Sequence, residues 1–277
     1  MKSTWLMYVL AMKAVFLRDL RTYVRYPFNA FMGIIDPLVW MLPVVFMARA
    51  FNVNGEAIGF KGYTGTSDFI AFYVIGGVIG YYVSAVGWGI GFSLKNEMMQ
   101  GVLETNYLTP VPPVVLLVGR SLWSLAVTTF RSVVGLILTW LLFRFSLTGQ
   151  ILPALAALVP VLIGLYGLGF GLAAAVLVTN DANSIIDMSQ FAIGLLSGQQ
   201  FPVQVLPRFL LAISLALPVT YGVDVVRGLL LGTKTLLPLE TELWLLCGVM
   251  LVFVACGYLI FGAVSRRVRT TGKLGFH

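Results

Sequence analysis

The chain has 277 residues, of which 59% are hydrophobic and only 10% charged, and its mean hydropathy is +0.93. So large an apolar fraction cannot be hidden inside a water-soluble fold of this length, which excludes a soluble globular domain. The formal charge of +7 would suit nucleic acid, but the positive residues gather at the chain ends and flank apolar runs, as orientation in a membrane requires.

A hydrocarbon layer of about 30 Å takes roughly 20 mostly apolar residues per helical crossing, and lipid demands that every backbone polar group be satisfied internally. The short alternating strands of a membrane barrel are absent. In chain order, residues 12–26 come first as an amphipathic helix. Arg18, Arg21, Thr22 and Arg25 share one face and Met12, Phe16, Leu17, Leu20 and Val24 the other, which predicts a helix lying on the cytoplasmic leaflet. Residues 1–16 also fit the opening of a signal peptide, since Lys2 precedes an apolar run, but a charged cluster follows it and not a cleavage site.

Hydropathy places spans at about 28–50, 68–94, 120–143, 153–178, 184–200 and 242–264. With both termini inside, the cytoplasmic segments carry 11 lysines and arginines and the outer ones 6. The loop 51–67 is Gly-rich and reads as irregular. Residues 201–235 are apolar enough to tempt a seventh span, but Pro202, Pro207 and Pro218 divide them into pieces too short to cross, and an odd count would move the basic tail to the wrong side. Two short helices, about 206–216 and 219–231, are expected to dip in from outside and return. Asp224 and Arg227, at i and i+3 on the second, are expected to neutralise each other.

Between the second and third spans runs KNEMMQGVLETNYLTPVPPVVLLVGR, residues 95–120, a polar segment punctuated by Glu97 and Glu104. Apolar positions at Leu94, Met98, Val102 and Leu103 predict an amphipathic helix over 94–108, stopped by Thr109-Pro110 and Pro112-Pro113. Such a helix either docks in the groove of a cytoplasmic partner or rests on lipid headgroups.

Glu97, Gly101, Val102, Leu103 and Glu104, followed by Leu108, Thr109, Pro110 and Val111, resemble the E-x3-G-T-L-E-x4-[ST]-P signature of ABC-2 type transporter permeases, the membrane subunits of a class of ATP-binding cassette exporters. Residues 206–232, LPRFLLAISLALPVTYGVDVVRGLLLG, are similar to that family's later pattern: Leu-Pro, a short helix, Pro218 with Thr220 and Tyr221, the acidic Asp224, and Arg227 before a Leu-rich stop. Val102 stands where the family has Thr, which removes a hydroxyl from the helix. The resemblance covers nearly the whole chain. It implies one ABC-2 transmembrane domain, an all-α polytopic protein: interfacial helix 1–27, spans 1 and 2 in 28–94, a coupling helix in 95–113, spans 3 to 5 in 114–200, a re-entrant hairpin in 201–235, and span 6 with the basic tail in 236–277. It further implies two permease chains, as a homodimer, joined to two ATPase subunits. Glu97, Gly101 and Glu104 would then sit at the ATPase groove with Arg18, Arg21 and Arg25 beside it.

A G-x4-G-K-[ST] phosphate loop is absent, so no cofactor is expected on this chain, ATP and magnesium being bound by the partner. Catalytic and metal sites are not expected either, since the only histidine is His277 and no two carboxylates share an evident face. Cys247 and Cys256, nine residues apart, point to opposite sides of one helix and should not pair. A secondary transporter would favour inverted repeats, which are not visible, and a membrane scaffold remains as the other alternative.

Three charges fall inside predicted spans, where ions are costly: Asp36, Arg131 and Asp187. Asp36 and Arg131 come out at matching depths and are expected to pair, with Asp187 as the rival partner; otherwise Arg131 faces a hydrated cavity and touches substrate. Gly76 with Gly80, Gly87 with Gly91 and Gly167 with Gly171 are spaced for close helix packing. Trp40, Trp88, Trp123, Trp140 and Trp244 read as interfacial belt residues, or as stacking surfaces for a sugar chain. The substrate classes in view are hydrophobic drugs, lipid-like molecules and lipid-linked glycans.

Overall fold

The computed structural model describes residues 2–28, 31–36, 39, 42, 46, 52–53, 56–57, 60–101, 108–145, 147, 149–179 and 182–271. Among them the fold is helical apart from a two-residue antiparallel pair, β1 (Asn52–Val53) with β2 (Glu56–Ala57). Helix α1 spans Lys2–Arg25 and α2 spans Phe60–Thr64. Helix α3 (Phe69–Val86) runs through a π-helical stretch, Gly87–Phe92, into α4 (Ser93–Met99). Then follow α5 (Pro113–Phe143), α6 (Ile151–Val178), α7 (Ala182–Leu196), α8 (Arg208–Ala216), α9 (Pro218–Leu231) and α10 (Leu239–Thr271).

Four of these are long and apolar enough to cross a membrane: Phe69–Met99, Pro113–Phe143, Ile151–Val178 and Leu239–Val268. The expected first span, 28–50, lies mostly outside the described residues. The expected fifth, 184–200, is only the 15-residue α7, or roughly 22 Å by helical rise, short of a full crossing.

Local signals explain the boundaries. Asp68 caps α3 by accepting a hydrogen bond from Ala71 N at 2.9 Å. The third span begins at Pro113, seven residues before its predicted start, because proline at the first helical position is favoured rather than disruptive. Arg144 closes α5 in the left-handed region, at φ 47°.

Glycines fix how the helices approach. A Cβ on Gly167 would strike the backbone of Phe253 and Val254, one on Gly257 the backbone of Gly167, and one on Gly164 the side chain of Met250. Rising numbers on α6 meet rising numbers on α10, so these two helices run parallel in backbone contact. Gly169 packs on Val86 and Ile90, and Gly91 on Ile186. The packing role expected of Gly76, Gly80, Gly87, Gly91 and Gly167 is therefore met, while Gly171 faces open space.

Helices α8 and α9 meet at an angle of 88° about Leu217–Pro218. The corner is braced by Thr220 Oγ1 donating to Ser214 O at 2.6 Å and Tyr221 Oη donating to Leu215 O at 2.7 Å. Hydrogen bonds from Gly149 N to Leu230 O and from Gln150 N to Leu229 O tie α9 to the start of α6, and Lys234 N donates to Thr64 O beside the start of α3. The bent pair thus occupies the end of the bundle where α3 and α6 begin.

Candidate functional site

Three groups of polar residues are spread along α3 and α5, one at each end and one between.

At the end where α4 stops, Glu97 and Arg120 form an ion pair, and Arg120 Nη1 donates to Ser93 Oγ at 2.5 Å. Glu97 is buried and Arg120 partly so, at 7% and 14% side-chain exposure, and the pair locks α4 against α5 largely out of solvent. This corrects the expected role of Glu97, which points inward and does not present its carboxylate to a partner. The expected helix over 94–108 is corrected as well. Its first half simply continues the second span to Met99, because an amphipathic period cannot distinguish a new helix from the protruding end of an old one. Gly101 then turns the chain at φ +67°, in a region that glycine adopts at least cost, and is exposed. Glu104 lies outside the described residues.

Helix α1 flanks this junction. Met12 packs on Gly119, and Phe16 and Tyr23 meet Trp123 edge-on, with ring centroids 5.2 and 5.6 Å away. Residues expected to rest on lipid, Met12 and Phe16, rest on α5 instead. Arg18, Arg21 and Arg25 are exposed and line a surface cleft of about 510 Å³, with Arg18 held by its neighbour Asp19 at 2.7 Å.

Midway lies a cavity of about 820 Å³ between α3, α5, the helical stretch 31–36 and Gln199–Gln200. Its walls mix tyrosine and tryptophan with hydroxyls, and Asp36 and Arg131 both open onto it. The expected Asp36–Arg131 ion pair is not formed: among the described residues neither makes a salt bridge, and Arg131 instead lies 5.8 Å from the Tyr23 ring. Asp187 is exposed on α7, away from that cavity's lining. Trp88 and Trp123 line the cavity, whereas Trp140 and Trp244 are exposed as belt residues would be; Trp40 is outside the described residues.

At the far end Arg227 is buried, at 3% exposure, on α9. Its guanidinium donates to Phe72 O at 2.9 Å, Gly198 O at 2.5 Å and Gln199 O at 2.6 Å, and lies 3.5 Å from the centre of the Phe72 ring. Gly76 leaves the room for it, since a Cβ there would fall on the guanidinium and on Gln199 O. Asp224 lies within electrostatic reach of Arg227, as expected, but among the described residues the two form no salt bridge: Asp224 accepts from Leu236 N at 2.6 Å and lies beside Glu242. Glu242 is fully buried, with the Asp224 carboxyl and the Leu237 backbone as its polar neighbours. Sequence reasoning passed over Glu242, although an acid in the first turn of an apolar helix is a usable signal.

Pro218 and Tyr221 serve the corner between α8 and α9 described above.

Over residues 11–231 the chain matches the family model described as ABC-2 type transporter. No curated protein matches it.

Proposed function

The chain belongs to the ABC-2 type transporter family, and from that premise we propose that it is the permease of an ATP-driven exporter, acting as a homodimer with two copies of a separate ATPase subunit. It is a multi-pass membrane protein, and its family is a transport component that partners with an ABC ATPase. Export direction, subunit count and substrate extend that statement. The single observation that carries the reading is the family match over most of the chain.

Other features support the finer points. The second span runs on without a break to Met99, so a push on residues 101–112 reaches α3 through helix rather than loop. The buried Glu97–Arg120 pair passes it to α5. In this reading Glu97 positions the coupling segment, Gly101 turns it, Glu104 meets the ATPase, and Arg18, Arg21 and Arg25 provide a basic rim on the cytoplasmic leaflet.

Helices α6 and α10 run parallel, so the chain between them makes an odd number of crossings. A crossing through α7 followed by a re-entrant α8–α9 pair satisfies that parity and keeps six spans with both termini inside. The shortness of α7 agrees, because the hairpin fills the remaining depth. The carried substrate is lipid-like or drug-like, moved past the cavity between α3 and α5.

Reconstitution tests the proposal. The chain alone in proteoliposomes should show only background ATP hydrolysis, and addition of its cassette subunit should produce hydrolysis coupled to outward movement of substrate. Sustained turnover by the lone chain, with contaminating ATPases excluded, would overturn it.

A further inference from the structure

The cavity between α3 and α5 carries two formal charges, Arg131 and Asp36, that form no salt bridge among the described residues. Arg131 lies roughly 16 Å along α5 from Arg120, deep in the apolar layer, where a cation without a partner is costly. Its Nε is buried with no hydrogen-bond partner among the described residues. The space it occupies depends on Gly33, where a Cβ would fall on the guanidinium.

Asp36 follows three residues later on the same helical stretch, opens onto the same cavity and is exposed. Tyr81, on the α3 wall, lies within electrostatic reach of both charges. A cation and an anion that form no salt bridge with each other therefore open onto one space walled by Tyr73, Tyr81, Trp88 and Trp123.

Each simple ligand class leaves this arrangement incomplete. A neutral amphiphile would desolvate both charges and satisfy neither. An anionic one would pair with Arg131 but bring a like charge towards Asp36, and a cationic one would do the reverse. A zwitterion answers both at once. At about 820 Å³ the cavity is in the range that holds a drug-sized headgroup and the start of a chain. Aromatic faces beside a carboxylate suit a quaternary ammonium, and a guanidinium suits a phosphate.

We propose that this cavity binds a zwitterionic amphiphile of the phosphocholine or phosphoethanolamine class, its phosphate on Arg131 and its ammonium between Asp36 and the aromatic wall. This deepens the export reading by naming a substrate class, yet binding itself does not require transport.

The test uses the full chain in complex with its ATPase subunit, in alkyl maltoside. Equilibrium affinities are measured for dodecylphosphocholine, dodecyl phosphate and dodecyltrimethylammonium, which share one chain and differ in charge. The phosphocholine should bind at least tenfold more tightly than either singly charged probe. Arg131→Gln should shift the preference to the cation and Asp36→Asn to the anion, while Arg131→Lys keeps the zwitterion first and a thermal melt of each variant checks folding. Equal affinities, or an unchanged ranking in folded Arg131→Gln and Asp36→Asn, would overturn the proposal.

ATP-dependent movement of a fluorescent phosphocholine lipid in inverted vesicles separates the two readings. The expected ranking without movement sinks export and keeps the site. Movement with rankings indifferent to both variants sinks the site and keeps export.

Discussion

Replacing Arg227 should destabilise the protein more than replacing any other charged residue of the hairpin. Its guanidinium serves carbonyls on two other segments, Phe72 O in α3 and Gly198 O and Gln199 O after α7, from a site only 3% exposed. Hydrogen bonds from a charged donor contribute about 1.5–3 kcal/mol each, and carbonyls left buried without a partner carry a penalty of about 1–3 kcal/mol. Three such bonds are not independent, so the sum overstates the effect; removal of one member of a buried charged network costs about 3–5 kcal/mol. Arg227→Met fills most of the volume and removes all three donors, so a loss of about 4 kcal/mol is expected. Arg227→Lys should recover only part of it, because an ammonium on a single stem cannot span the fork that reaches residues 72, 198 and 199. The assay is reversible denaturation in mixed micelles, followed by tryptophan fluorescence. An Arg227→Met midpoint equivalent to less than about 1 kcal/mol, or full rescue by lysine, would show that the geometry of the fork is not what holds α9 to α3.

The Glu97–Arg120 pair should behave as a unit: Glu97→Gln and Arg120→Gln should each lower the melting temperature, and the double variant should lose less than the two losses added, as a double-mutant cycle in detergent would reveal. Gly76→Ala should be destabilising by about 1–3 kcal/mol through collision with Arg227 and Gln199, whereas Gly77→Ala, whose Cβ meets nothing, should be neutral or slightly stabilising; equal melts would contradict this. In a Cys247→Ser, Cys256→Ser background, single cysteines at the exposed Gln204 and Lys234 should react with an impermeant reagent from the same side and one at Thr270 from the other; opposite labelling of Gln204 and Lys234 would make residues 201–235 a crossing.

Hydropathy and proline placement made much of the fold legible. Long apolar runs with few interior charges predict the four described spans, and Pro218 marks the 88° corner to within a residue, because lipid leaves few alternatives to a continuous helix. The partners of charged groups were less legible. Spacing at i and i+3 brought Asp224 within electrostatic reach of Arg227, but the rule is local, while the carbonyls that accept the hydrogen bonds of Arg227 lie 155, 29 and 28 residues away. Backbone acceptors at helix ends have no sequence signature. Likewise Glu97 had the polar neighbours of a docking surface, and only the antiparallel approach of α5, which places Arg120 opposite, makes it an interior residue. For Arg131 and Asp36 helical rise brought the two charges to one level, and both open onto one cavity, yet rise does not fix the azimuth that separates pairing from lining a common cavity.

The positions of these bonds give the bundle an uneven stiffness. At one end α4 and α5 are joined by a buried ion pair, and at the other α3 is joined to α9 and residues 198–199 by the three donors of Arg227. Between these clamps the wall of the cavity is held by neutral bonds, Tyr82 Oη to Thr129 Oγ1 at 2.9 Å and Ser124 Oγ to Ala85 O at 3.0 Å, which are individually worth about 1 kcal/mol. The π-helical turn Gly87–Phe92, rich in glycine, lies on the same stretch. Strain entering at either clamp is therefore relieved first around the cavity, where the bonds between α3 and α5 are weakest. It follows that changes at Glu97, Arg120 or Arg227 should appear first in stability, and changes at Arg131 or Asp36 first in ligand preference. A structure with its charges distributed the other way round could not separate those two readouts.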